Sequence, residues 1–406
     1  MSNRRIAIAL GLGAATLAAI PVLAQQRGPT SGPIARYDMR AGTVSGFAAM
    51  GGGAGGALSM AFGGGGNKIQ HELHLRLGSS NPPVKGAPKA DHFMPAGARL
   101  GKSVALVTPK QERGGTDELP QKPKGRILIF WGCGEHAPKG QPVVIDLAKL
   151  AAGQAPPGLW SSTVIRDWGP TLENSKTFGR WPAEDGKFVK ADSSLVGAHK
   201  VVGNYSPEIA FNLTRDFMGA LTATNTEQAS GSALLRWNGL PEATGYLAFM
   251  FAGKMAPGGG EMQDMVMWTS SASRQFGGGL SDWLSPDQVA RLVKERTVLA
   301  PSVTQCVIPA EVRKAGPDFR MGMLTAFGPQ EDFAYPARPA DPKAAWNLQW
   351  TARIRHRSMT SWMDMPGMGA MGGQPAADGQ TQQPACKKKG GLGGIVGGVL
   401  GGGKGC

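Results

Sequence analysis

Residues 346–355 read Trp346-Asn347-Leu348-Gln349-Trp350-Thr351-Ala352-Arg353-Ile354-Arg355. Trp346, Leu348, Trp350, Ala352 and Ile354 alternate with Asn347, Gln349, Thr351, Arg353 and Arg355. Successive side chains of an extended chain point to opposite faces, so this period of two predicts a strand buried on one side only. Ile69 to Leu77 repeats the pattern: His71, Leu73, Leu75 and Leu77 fall on one face, Glu72, His74 and Arg76 on the other. Arg126 to Trp131 is a continuous apolar run, suited to a strand covered on both faces. Val143-Val144-Ile145, behind Gly140-Gln141-Pro142, reads as another short strand, and Ile209 to Leu221 as a strand with polar interruptions. Gly and Pro between these runs suit antiparallel connections. One stretch departs from the rule. Pro286 to Arg296 puts Val289, Leu292 and Val293 on one helical face, with Ser285 as N-cap and Pro at the first helical position. The fold class is therefore mainly β: two tandem β-sandwich-like domains, 68–226 and 227–358, with a short helix near 286–296. The boundary falls in the small, polar run Thr224 to Ser232.

After that boundary come Ala233-Leu234-Leu235-Arg236-Trp237, Pro241-Glu242-Ala243 and Tyr246 to Phe251. A Trp closing one strand, a Pro-containing turn and a Tyr opening the next resemble the second and third strands of a fibronectin type III-like β-sandwich, over about 231–270. The resemblance implies two sheets with one apolar face each and a binding or spacing role. The helix at 286–296 departs from that family.

The flanks have a different composition. Glycine supplies 61 of 406 residues, about twice the usual share, and it is concentrated at 25–67 and in the tail. Such runs cannot bury enough side chain to make a core. The amino terminus reads as a signal peptide over 1–24: Arg4 and Arg5, an uncharged apolar stretch from Ile6 to Ile20, Pro21, then Val22-Leu23-Ala24 with cleavage between Ala24 and Gln25. The residues after the arginine pair favour general secretion over a twin-arginine route. The expected location is periplasmic or outer-envelope associated. In that setting the formal charge of +14 points to an anionic envelope surface or lipid as partner rather than nucleic acid.

Export also frames the cysteines. Cys133, Cys306, Cys386 and Cys406 make an even set, which in an oxidising compartment favours disulfides. Cys386 and Cys406 flank one short segment and are the preferred pair, leaving Cys133 with Cys306. No Cys-x-x-Cys spacing supports a redox or zinc motif. Cys133 and His136 could form a thiolate–imidazole pair, but the surrounding glycines mark a turn more simply. His71 and His74 point to opposite faces of the expected strand and cannot share a metal. Asp91-His92 has no visible third partner. Of the tryptophans, 131, 237, 268, 346 and 350 lie in strand patterns and read as core. Trp160, Trp168 and Trp181 lie among Pro, Gly and charge, where core or loop anchoring competes with an exposed sugar-stacking platform.

Two further patterns carry chemistry. Met359, Met363, Met365, Met368 and Met371 cluster at the start of a Met/Gly/Gln-rich linker, 359–385. Thioethers are soft ligands that suit Cu(I), and the segment resembles the Met-rich segments of exported copper-handling proteins; a linker whose methionines pack on apolar surface is the alternative. In the tail, 386–406, Gly390, Gly394, Gly398 and Gly402 recur every fourth residue behind Lys387-Lys388-Lys389. This is similar to a glycine zipper, in which bare helix backbones pack closely, and the lysines favour an anionic membrane surface. The zipper could mediate self-association. The reading these features support is an exported, non-enzymatic envelope protein with a structural or adhesive role and no resident cofactor. A periplasmic ligand-binding protein, for copper or glycan, and a secreted hydrolase are the alternatives.

Overall fold

In the computed structural model the alternating stretch at 346–355 is extended, but it is broken at Leu348-Gln349. Two residues, Trp346–Asn347, bridge in parallel to Thr30–Ser31, and a new strand then runs from Trp350 to Asp364. The structure describes residues 30–50, 68–109, 124–154, 165, 167, 169–184, 186–258, 261–275, 279–280 and 282–364. The signal peptide, Trp160, Trp168, Met365, Met368, Met371 and the whole glycine tail with Cys386 and Cys406 lie outside them.

In chain order the strands are β1 Thr30–Ser31, β2 Ala35–Gly46, β3 Ile69–Ser79, β4 Ala90–Phe93, β5 Ser103–Ala105, β6 Arg126–Trp131, β7 Val143–Asp146, β8 Thr177–Trp181, β9 Phe188–Val189, β10 Gly197–Gly203, β11 Ile209–Leu213, β12 Ala223–Glu227, β13 Ala233–Trp237, β14 Gly245–Met255, β15 Met262–Thr269, β16 Gln305–Ile308, β17 Phe319–Tyr335, β18 Trp346–Asn347 and β19 Trp350–Asp364. Helices α1 Leu147–Ala151, α2 Pro286–Lys294 and α3 Ala310–Ala315 are short. The chain is mainly β, as its periodicity predicts.

Ten strands form one sheet in the order β7-β6-β15-β14-β17-β19-β2-β3-β8, with β9 beside β3. Two smaller sheets pack against one side of it. The sheet β11-β10-β4-β5 faces β19, β2, β3 and β8, and between them lie Tyr37, Met39, Leu73, Leu75, Leu77, Phe211 and Ile354. The sheet β12-β13-β16, with α3, faces β6, β15, β14 and β17 across Leu235, Trp237, Tyr246, Met250, Val266, Trp268 and Leu324. Two sandwiches with two cores thus exist, but they share the long sheet instead of following one another as separate units. β6 and β7, from before the expected boundary, pair into the second sandwich beside β15, while β19, from its far end, pairs with β2 in the first. Strand pairing over such separations leaves no mark on local pattern.

β13 and β14 lie in opposite sheets and bring Trp237 to within 5.5 Å of Tyr246, centroid to centroid; the Tyr246 hydroxyl accepts a hydrogen bond from the Leu240 amide at 2.8 Å. α2 begins as expected. Ser285 Oγ accepts from the Gln288 amide while Gln288 Oε1 accepts from the Ser285 amide, a reciprocal cap that satisfies two otherwise orphaned donors. Its buried Val289 and Leu292 pack on Leu247 and Phe327, on the opposite face of the long sheet from the two cores.

Candidate functional site

Among the described residues, that opposite face gathers a dense network of ion pairs. Strand register sets Arg353, Asp38 and Arg76 in one row across β19, β2 and β3, Arg355, Arg40 and His74 in the next, and Arg357, Gly42 and Glu72 in a third. Because alternate residues share a face, the three rows form one patch. The apolar alternation that fills the first sandwich leaves these polar positions on the other side of the same strands.

Asp38 is the anchor, almost fully buried. Its carboxylate accepts from Arg40 Nε at 2.9 Å, from Arg353 Nε at 2.9 Å and from Arg355 Nη2 at 3.0 Å. Burial alone would raise its pKa. Arg355, Arg40 and Arg353 outweigh that and hold it below the usual carboxylate range. A second carboxylate, Asp167, reaches the patch from outside the sheet. It is bonded to Arg40 Nη2, lies 3.2 Å from Arg355 Nη2, 3.3 Å from Arg353 Nη2 and 3.6 Å from Arg76 Nη1, and accepts from the Gly169 amide at 3.1 Å. Burial again pushes its pKa up; Arg40, Arg355, the Gly169 amide and Arg353 bring it to about 2.

Asp282 lies 3.4 Å from Arg40, and Arg355 donates to the Trp283 carbonyl, so the segment leading into α2 is tied to the same patch. In the third row Arg357 donates from Nε to Glu72 at 2.8 Å and stacks over the Trp283 ring at 4.1 Å. Glu72 lies across Gly42, where a Cβ would come within 2.3 Å of its carboxylate, so glycine makes room for the ion pair. Burial raises the Glu72 pKa, but Arg357 and His74 hold it at about 2. Arg36, at the near end of β2, donates to Asn174 at 2.8 Å. Among the described residues, the guanidinium groups of Arg40, Arg76, Arg353, Arg355 and Arg357 thus meet the carboxylates of Asp38, Glu72, Asp167 and Asp282. The patch is a surplus of fixed planar donors, of the kind that recognises carboxylate, phosphate or sulfate oxygens.

The chain matches no known protein family, no curated protein and no solved structure.

The residues singled out from sequence are dispersed around this patch. Cys133 and Cys306 are joined by a disulfide that ties the turn after β6 to β16, linking the two sheets of the second sandwich. Beside it the fully buried Trp268 donates its indole N–H to the Gly132 carbonyl at 2.9 Å. Cys133 is therefore no nucleophile, and His136 instead faces Glu311 at 3.1 Å. His71 and His74 do point to opposite faces. His71 stacks on Phe217 at 3.9 Å, with Nδ1 3.1 Å from Thr43 Oγ1, while His74 lies 3.7 Å from Glu72. Trp181 is buried against the first core and capped by Lys187, so it offers no open platform.

His92 does have further partners. Tyr37 Oη is 2.6 Å from its Nδ1, and its Nε2 is 3.0 Å from His199 Nδ1; His199 Nε2 is 2.7 Å from the Leu195 carbonyl. That carbonyl can only accept, so His199 carries its proton on Nε2, His92 donates from Nε2, and Tyr37 donates to His92. Burial, with His199 beside it, keeps His92 neutral well below its usual pKa. The chain is wholly inside the first core and serves as its polar cross-link.

Met359 and Met363 are strand residues, not linker. They lie on β19, paired with Thr325 and Met321 of β17. The run Met359-Thr360-Ser361-Trp362-Met363 has too little polar contrast to show its period of two, and only pairing on both sides fixes it as strand. Among the described residues no group of three or more His, Cys, Asp or Glu is placed to hold a metal, and no helix is long and apolar enough to cross a membrane. The arginine patch itself was half legible. Arg353 and Arg355, and Glu72, His74 and Arg76, stand out in the sequence as polar faces of two strands, but nothing in the pattern shows that these faces meet in one patch. The available signal was complementary charge at a period of two on separate strands.

Proposed function

We propose that the protein is an exported envelope protein that binds a phosphate-bearing anionic surface through the arginine patch. The observation that carries this reading is the convergence of Arg40, Arg76, Arg353 and Arg355, from three adjacent strands, on the single carboxylate of Asp167. One monoanion draws four guanidinium groups, and Arg76 and Arg353 remain partly open to solvent, 31% and 24%. An oxyanion arriving from outside meets Arg353 already ordered by Asp38 and Arg76 held beside Asp167, so little side-chain entropy is lost on binding. The Cys133–Cys306 disulfide supports an oxidising compartment, and with it the signal-peptide reading. Lys387, Lys388 and Lys389 would add a second contact to the same surface.

The test is co-sedimentation with vesicles of phosphatidylethanolamine containing phosphatidylglycerol, against vesicles of neutral lipid. Salt-sensitive binding only to the anionic vesicles, weakened in Arg76→Gln/Arg353→Gln, supports the patch. Binding that survives that double variant but is abolished by replacing Lys387, Lys388 and Lys389 with Gln assigns the contact to the tail and overturns the patch.

A further inference from the structure

Beyond the arginine patch, the same sheet face changes character along β19. Its outward positions run Arg353, Arg355, Arg357, Met359, Ser361, Met363. Register sets Met363 directly opposite Met321 of β17, Ser361 opposite Met323 and Met359 opposite Thr325. Leu324 and Ala326, with Trp362, point the other way into the second core, so Met321, Met323, Met359 and Met363 share the outer face. All four are partly buried. On the far side of β17, Phe251 is paired with Met321 and Phe249 with Met323; the amide of Ala48, in the turn Phe47–Met50, closes the other side by donating to Ser361 at 2.6 Å. Directly opposed residues in an antiparallel pair lie roughly 4.5–5.5 Å apart at Cα, and same-face neighbours along a strand roughly 7 Å apart. Unbranched methionine side chains at such spacings can bring their sulfurs to one point above the sheet.

We propose that Met321, Met323 and Met363 form a site that holds a soft monovalent metal ion, Cu(I), through thioethers alone. Strand packing by itself does not call for sulfur here, since β-branched and aromatic residues suit a pleated, half-buried face better. Thioethers carry no proton, prefer soft ions and survive in a compartment where Cys133 and Cys306 are oxidised. Phe249 and Phe251, paired with Met323 and Met321, give the site an apolar flank. The ligands come from two strands paired side by side, so the site differs from a sequence cluster extending along Met365, Met368 and Met371.

The test uses the full chain without oxygen, with Cu(I) supplied from a coloured competing chelator and Ag(I) as a redox-inert second probe. Wild type and the Met365→Leu/Met368→Leu/Met371→Leu variant should take up a single equivalent. Met321→Leu/Met323→Leu/Met363→Leu should lose at least about tenfold in affinity, while its urea unfolding midpoint stays near wild type because Leu replaces Met at nearly constant volume. Affinity should be flat across the pH range in which imidazoles titrate. The proposal is overturned if wild type takes up neither ion, if the strand variant binds as wild type does, if the other variant loses the ion instead, or if affinity falls as histidines protonate.

Discussion

β19 passes through two regions that share a backbone, a sheet and a face, yet are held by different forces. Around Arg353, Arg355 and Arg357 each outward side chain is committed to a named partner; Met359 is set between Thr325 and Val44, and Met363 opposite Met321, all of them uncharged. A buried guanidinium without its carboxylate carries an uncompensated charge, so the first region is specific and intolerant of change. Apolar packing is non-directional and accepts another side chain of similar volume, so the second is permissive. The difference also explains why loop segments are tied down over the arginines: Asp167 and Asp282 are needed there to balance charge.

The largest effect should come from removing the anchor. Asp38→Ala leaves Arg40 and Arg355 buried without their main carboxylate, and we expect a loss of about 3–5 kcal/mol in urea denaturation. A loss under about 1 kcal/mol would erase the contrast between the two regions. Next comes the second sandwich. Cys133→Ala/Cys306→Ala frees a cross-link between residues 173 apart in sequence and should cost about 2–4 kcal/mol. If the regions are as separate as their cores, the cost should be additive with that of a mutation in the arginine patch.

Acid should then discriminate between them. Glu72 and Asp167 are each held at about 2, below their unfolded values. Their contribution is complete above the unfolded carboxyl range and is lost as pH falls through about 2, on the order of 2 kcal/mol each. Fluorescence of Trp283, which stacks under Arg357, should report the patch loosening in this window. In a chain whose other tryptophans are replaced by Phe, an unchanged Trp283 signal down to pH about 2 would contradict the electrostatic account. The smallest effect is expected on the permissive side, where Met323→Leu should change stability by less than about 1.5 kcal/mol; a larger loss would show that the methionine face is as exacting as the arginine face.

Much of the fold was legible from residues taken a few at a time. The alternation in Ile69 to Leu77, the apolar run Arg126 to Trp131 and the Ser285-Pro286 helix start all lie where periodicity and capping put them. The strand at Trp350 was legible up to Arg355 and no further, because Met359 to Met363 carries no charge to mark the outer face. Export and parity leave three pairings of the four cysteines; Cys133–Cys306 is what remains once Cys386 and Cys406 are paired for their closeness in sequence. The candidate site was legible only as separate polar faces, since its carboxylates at 38, 72, 167 and 282 are spread across most of the chain and nothing local ties them to Arg353, Arg355 and Arg357.

The sequence by itself determined that this protein is β-rich, where several strands alternate, how α2 begins and which cysteines are available to pair. Those properties depend on contacts between near neighbours and on the alternation of side chains along an extended backbone. Only the tertiary structure decided that β6 and β7 join the second sandwich, that β19 joins the first, and that the polar faces of separate strands meet one another. Strand order is fixed by which apolar faces can be buried together over long chain separations, and burial of a charge is decided by whether a partner arrives on another strand.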